Sequence, residues 1–284
     1  MSAVVEWLPV LAALLGAGVL AGILAGLLGV GGGIVIVPVL FLVFQSLGIS
    51  PSSAMLIATS TSLLTIVPTS IASARAHHAR GNIDLAMFRA WLPPMVAGVV
   101  LGSITASRVN GLLLTGIFGV VALAIALNNL FRPNAPPLRE GLPAQPWQWL
   151  IAAVIGGISV MMGIGGGTLG VTAMTAFNVV AHRAVGTSAL FGLVIALPGA
   201  LLMLVLPETP ADAPVGTVGA VNLPGFLAIV PMTMLFAPLG VKIGGGLSGV
   251  ALKRIFSVFL LVVGGRMLWQ LAGPVLGPLL NQGG

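Results

Sequence analysis

Apolar residues fall in ten runs along this chain, with short polar or proline-containing gaps between them. The first five cover roughly residues 7–28, 33–47, 53–74, 86–107 and 111–130. The second five cover roughly 147–165, 168–181, 184–206, 224–244 and 252–273. Most approach or exceed the roughly 20 residues that cross a hydrocarbon core of about 30 Å as a helix. The runs at 33–47 and 168–181 are shorter. They read as half-helices or re-entrant pieces, and the pattern leaves open whether they span fully.

The second five runs repeat landmarks of the first. Gly29-Val30-Gly31-Gly32-Gly33 returns as Gly163-Ile164-Gly165-Gly166-Gly167. Thr59-Ser60 is echoed by Thr187-Ser188, Pro68 by Pro198, and Gly102 by Gly240. Gly81-Asn82-Ile83-Asp84 is echoed by Gly219-Ala220-Val221-Asn222. A duplicated membrane unit with a glycine-broken segment in each half points to a secondary transporter, whose breaks meet near the midplane and form the binding site. The expected fold is an all-α polytopic membrane protein of two inverted repeats, each of about five segments, with short or broken helices at the glycine motifs. The repeats are expected at 1–131 and 147–284. The linker 132–146 holds Arg132, Arg139 and Glu140 with Pro133, Pro136, Pro137, Pro143 and Pro146, which suits an extended connection.

Composition supports the membrane reading. Of 284 residues, 58% are hydrophobic and only 6% charged, against about 25% in an average soluble domain. Forty glycines and 20 prolines are tolerated where helices pack closely in lipid. The net charge of +6 comes with no basic run or aromatic platform, which argues against nucleic-acid binding. The chain has no cysteine, so disulfides and thiol chemistry are excluded. The residues before the first run carry no Lys or Arg and no clear cleavage site follows, so that run is expected to stay in the membrane.

Loop charge sets the expected orientation. The gap with Arg75, His77, His78 and Arg80, continuing to Arg89, is basic and is placed in the cytoplasm. Its counterpart, Pro207 to Asn222, has Glu208 and Asp212 and no Lys or Arg. Opposite bias in equivalent loops, with five segments per half, is what an inverted repeat requires. Arg132, Arg139, Arg183, Lys253 and Arg254 fall inside and both termini outside. Arg108 and Arg266 lie near outer ends, where each either snorkels or faces a cavity.

The candidate chemistry is uncharged. Glycine breaks expose backbone N–H and C=O groups, and a helix that starts after a break presents N–H donors to an anion. The helices beginning at Ile34 and Thr168 are the candidates, with close helix packing as the alternative role of the glycines. Hydroxyls at Thr59, Ser60, Thr187 and Ser188 either donate to an oxyanion or bond their own helix. Thr168, Thr172, Thr175 and Asn178 are weaker candidates. All five carboxylates (Glu6, Asp84, Glu140, Glu208 and Asp212) fall in loops or at segment ends. The pattern therefore offers no buried proton relay, no cage for a divalent cation, no nucleotide-binding loop and no hydrolytic triad. No cofactor is expected. A pathway lined by dipoles, hydroxyls and an arginine at most suits an anion better than a cation.

The ordered set Gly26-Leu27-Leu28-Gly29-Val30-Gly31-Gly32-Gly33…Pro38, Ala58-Thr59-Ser60, Gly81-Asn82-Ile83-Asp84, Gly163-Ile164-Gly165-Gly166-Gly167 and Gly186-Thr187-Ser188 resembles the TauE/SafE family. That family is also called the sulfite exporter or toluene-sulfonate uptake permease family. The resemblance covers nearly the whole chain. It implies a multi-pass protein of the bacterial cytoplasmic (inner) membrane that moves small sulfur-containing anions such as sulfite or organosulfonates. Carried over by position, it implies a substrate site at Gly31, Gly32, Gly33, Thr59, Ser60, Gly165, Gly166, Gly167, Thr187 and Ser188, with no metal. The expected partners are a small anionic solute and membrane lipid, without nucleic acid. Whether the chain forms a homo-oligomer is open, as are the solute, the direction and the coupling ion. The expected mechanism is alternating access at a central site, to be tested by valine at Thr59 and Thr187. A passive anion channel and a non-transporting scaffold are the rival classes, and an enzyme is the least supported.

Overall fold

The computed structural model describes residues 2–28, 32–131, 138–244 and 249–280. Among them are ten helices: α1 (Ser2–Leu28), α2 (Gly33–Ser46), α3 (Pro51–Ala79), α4 (Leu85–Arg108), α5 (Gly111–Phe131), α6 (Trp147–Met162), α7 (Gly167–Ala176), α8 (Ala181–Val205), α9 (Leu223–Gly244) and α10 (Gly249–Leu280). Every apolar run of the sequence is thus a helix. Among the described residues six stretches are long and apolar enough to cross a membrane, in α3, α4, α5, α8, α9 and α10. The protein is an all-α polytopic membrane protein, and its outer surface agrees with that. Leu101, Leu113, Val120, Leu150, Leu201, Leu227, Leu235, Val262 and Trp269 all stand exposed on helix flanks, where lipid rather than water is the suitable solvent.

The two short helices are α2, with 14 residues, and α7, with 10. At 1.5 Å per residue they reach about 21 and 15 Å, short of a core of about 30 Å. Neither crosses alone. Each begins at the end of a glycine cluster of the sequence, the first following α1 in the chain and the second following α6. Gly29, Val30 and Gly31 lie outside the described residues, as do Arg132, Pro133, Pro136 and Pro137 of the linker. The second break is fully described. Gly163 takes φ +65°, Ile164 N–H donates to the Ser159 carbonyl at 3.0 Å, and Gly163 N–H donates to the Val160 carbonyl at 3.1 Å. That pair of bonds ends α6 and satisfies two of its last carbonyls, in a left-handed turn that glycine adopts without a Cβ penalty.

Small residues set the packing order. α1 lies on α9: a methyl group on Gly18 would stand 2.6 Å from Met232 Cβ, and one on Gly22 2.7 Å from the Thr233 carbonyl oxygen. α4 lies on α6, with Gly98 against the Ala153 backbone and Gly102 against Gly157. α5 and α10 meet at Gly119, Gly264 and Leu268. Backbones approach this closely only where side chains are missing, which is how helices associate in lipid. α3 and α8 pack against each other, and α3 is the most enclosed of the long helices. At that contact Gly199 of α8 fits against Leu63 of α3 and Val160 of α6.

The connection from α8 to α9 carries more structure than a loop. Thr217–Val218 (β1) pairs antiparallel with Val221–Asn222 (β2), Thr217 opposite Asn222 and Val218 opposite Val221. Gly219 opens the two-residue turn with φ +55°. Asp212 of the same connection accepts the Ser50 backbone N–H at 2.8 Å, tying the segment to the start of α3. With hydrogen bonds from Ser53 and Ser50, its carboxyl falls from the ordinary 3.8 to about 2.

Candidate functional site

The fold brings the second glycine break against the first short helix. A methyl group on Gly33, the first residue of α2, would stand 2.8 Å from the Gly163 carbonyl oxygen and 3.1 Å from Ile164 Cα. One on Gly163 would stand 2.5 Å from Thr59 Cα. Ser62 of α3 donates its hydroxyl to the Gly163 carbonyl at 2.7 Å. The break is thus clamped to α3 by contact and by a hydrogen bond. Gly32 caps the start of α2 in the left-handed region, φ +76°. Gly165 and Gly167 are buried, and Gly166 lies against Phe191 of α8, 2.5 Å from its Cβ to a methyl position. Gly31 falls outside the described residues.

The hydroxyls divide by what they bond. Thr59 donates to the Met55 and Leu56 carbonyls of its own helix, both at 3.0 Å, which is the commonest role of a threonine in a membrane helix. Thr187 accepts the backbone N–H of Asp84 at 3.0 Å. Ser60 and Ser188 are buried with no hydrogen-bond partner, and so is Thr168. The orphan state of these three is informative, since most buried polar atoms find partners.

Thr61, which follows Thr59 and Ser60 in the sequence, belongs here as well. Thr61 accepts the backbone N–H of Asn222 at 2.9 Å. This is the bond of Thr187 with the halves exchanged. Asp84 caps α4 by accepting Met87 N–H at 3.0 Å, and Asn222 caps the start of α9 by accepting Gly225 N–H at 2.8 Å. The cap residue at the fourth helix of each half therefore reaches a threonine on the third helix of the other. By bonding, the counterpart of Thr187 is Thr61, two residues beyond Thr59. The chain reads Thr-Ser-Thr-Ser at 59–62, so the Thr-Ser pair matches twice and only the fold separates the two registers.

The electrostatics follow from the residue types. Among the described residues the buried polar side chains are serines, threonines and Asn222, and none carries a charge. Arg75, Arg108 and Arg266 are all exposed. Among the same residues no group of three His, Cys, Asp or Glu converges as a metal site would require. Beside Gly166 and Gly170, the Phe191 ring stacks on Trp91 with centroids 5.6 Å apart, and Trp91 Nε1–H donates to Gln148 Oε1 at 3.2 Å.

Short helices, a glycine break packed against α3 and α8 and, among the described residues, buried polar side chains without charge suit a membrane protein of the transporter class. The profile of the family described as sulfite exporter TauE/SafE matches residues 14–267, and the chain belongs to that membrane transporter family. It is 32% identical over 253 residues to a "Probable membrane transporter protein" of Haemophilus influenzae, covering 87% of this chain and 93% of the relative. It is 24% identical over 271 residues to the "Probable membrane transporter protein YunE" of Bacillus subtilis, covering 89% and 95%. A relative of the same description from Methanocaldococcus jannaschii is 26% identical over 271 residues, covering 93% and 97%. No solved structure matches the chain.

Proposed function

We propose that this protein is a secondary carrier of small sulfur-containing anions, such as sulfite or organosulfonates, in the cytoplasmic membrane. It works by alternating access of two inverted repeats around a central site. The observation that carries the reading is that, among the described residues, the buried polar side chains are uncharged, with serine and threonine hydroxyls beside a glycine break that packs against α3 and α8. Neutral donors suit an oxyanion, and an interior without carboxylates suits a solute whose movement needs no buried proton relay. An inside-negative potential favours anion exit by about 2.3 kcal/mol per charge per 100 mV, which makes export the natural direction.

Two features support the inverted-repeat half of the proposal. The first is exchange packing, α1 on α9 and α4 on α6. The second is the pair of exchanged bonds, Asp84 to Thr187 and Asn222 to Thr61. A two-fold relation converts each member into the other. The candidate solute contacts are Gly31, Gly32, Gly33, Ser60, Gly165, Gly166, Gly167 and Ser188, with Thr59 and Thr187 shaping the helices that carry them. Sulfite uptake into proteoliposomes tests the reading. Saturable uptake that organosulfonates compete with supports a carrier, linear uptake supports a pore, and absence of uptake in folded protein supports a scaffold.

A further inference from the structure

At the second break, the acceptors and the donors are in different states. The carbonyls on either side of it are occupied: Ser159 accepts from Ile164, Val160 from Gly163, Gly163 from the Ser62 hydroxyl at 2.7 Å and Gly166 from Gly170 at 2.8 Å. The donors at the start of α7 are not. α7 has no side-chain N-cap, and the first of its N–H groups bonded back to the break is that of Gly170. The start of a helix leaves the preceding N–H groups, here those of Gly167, Thr168 and Leu169, without an intrahelical acceptor. Two orphan hydroxyls lie on or against the same helix. Thr168, in the first turn, is 4% exposed, and Ser188 is fully buried. Ser188 Oγ faces α7, 2.9 Å from where a methyl on Gly170 would lie.

The first short helix does not offer this. The residue that matches Thr168 is Ile34, fully packed and without a hydroxyl; both starts are closely packed, α2 by Ile66 and Ile164 and α7 by Phe191 and Ile195, so the difference lies in the polar groups. Val35 and Ile36 both donate to the Gly32 carbonyl, at 3.0 and 3.1 Å. The two breaks are therefore unequal as ligand sites, although they match in sequence.

We infer that the start of α7, with the Thr168 and Ser188 hydroxyls, is the oxyanion site, and that it takes singly charged sulfur oxyanions in preference to doubly charged ones. The inference rests on the carrier reading above. A surplus of donors at the positive end of a helix dipole favours an anion over a cation. Among the described residues no cation is buried to neutralise a second charge. The cost of taking an ion out of water rises steeply with its charge, so neutral donors compensate one charge far better than two.

The test uses the purified full chain in proteoliposomes, with labelled methanesulfonate as solute and sulfate as the dianionic competitor. Saturable methanesulfonate uptake is expected, with little inhibition by sulfate. Thr168→Val and Ser188→Ala should each raise the half-saturating concentration about tenfold or more, the usual effect of losing one hydrogen bond to a charged group. Thr168→Ser should restore it, and Ser103→Ala, an orphan hydroxyl on α4, should leave it unchanged. A second readout needs no transport: methanesulfonate should raise the unfolding temperature of the detergent-solubilised protein but not of Ser188→Ala. Uptake that survives both substitutions overturns the α7 site and leaves the carrier reading intact. Sulfate competing as well as methanesulfonate overturns the charge preference. Folded wild-type protein that moves neither methanesulfonate nor sulfite overturns the carrier reading, and this inference with it.

Discussion

The exchanged bonds between cap residues and threonines make a quantitative prediction. Thr61→Val keeps the shape of the side chain and removes only the hydroxyl, so no cavity term enters. It leaves the Asn222 N–H without an acceptor at a residue that is 3% exposed. A buried donor stranded in this way costs about 1–3 kcal/mol. Thr187→Val strands the Asp84 N–H, which is only partly buried, so water replaces part of the lost bond. Its cost should sit near the lower figure, about 0.5–1.5 kcal/mol. Thr59→Val is the control. That hydroxyl bonds two carbonyls inside its own helix, and its loss strands no donor. Its effect should be about 0.5 kcal/mol or less. The assay is equilibrium unfolding in mixed micelles, read as the shift in midpoint for each variant and for Thr61→Val with Thr187→Val together. Independent bonds should add to within about 0.5 kcal/mol. The reasoning is refuted if Thr61→Val unfolds with Thr59→Val, or if Thr187→Val proves the costlier of the two cap variants.

Three further outcomes are expected. Gly98→Ala should destabilise by about 1–3 kcal/mol because its methyl meets the Ala153 backbone, whereas Gly16→Ala, with open space around it, should not; thermal melts in detergent compare them. Asp212 has its folded pKa lowered to about 2, so its tie to Ser50 contributes fully above the ordinary 3.8 and is lost only as the pH falls towards about 2. Protease cleavage between α8 and α9 should thus be unchanged from neutral to mildly acid pH, and faster in Asp212→Ala. Trp91→Phe should retain the stack on Phe191 but strand Gln148 Oε1, which also loosens the link between α4 and the start of α6; hydrogen exchange in residues 147–150 should rise.

The ten helices were legible because lipid imposes a simple rule: a long apolar run has to satisfy its own backbone. The second glycine cluster was legible as a break, and it ends α6 in the turn that Gly163 permits. Other features depend on pairings that no local signal encodes. The hairpin at 217–222 forms because Gly219 turns a short segment back on itself; the sequence offered that segment only as an acidic loop. The sequence paired Thr187 with Thr59, but Thr-Ser-Thr-Ser also fits two residues later, and the bonding counterpart Thr61 depends on where Asn222 lands. The inequality of the two breaks was legible in one residue, Ile34 against Thr168, but its meaning depends on Ser188 lying against Gly170.

The central claim is that an anion is carried, and its most direct test is sulfite flux through purified protein in liposomes under an imposed potential of either sign. The account predicts saturable flux whose direction and rate follow the potential, by about 2.3 kcal/mol per charge per 100 mV. Flux that never saturates, or no flux from protein shown to be folded, would contradict it.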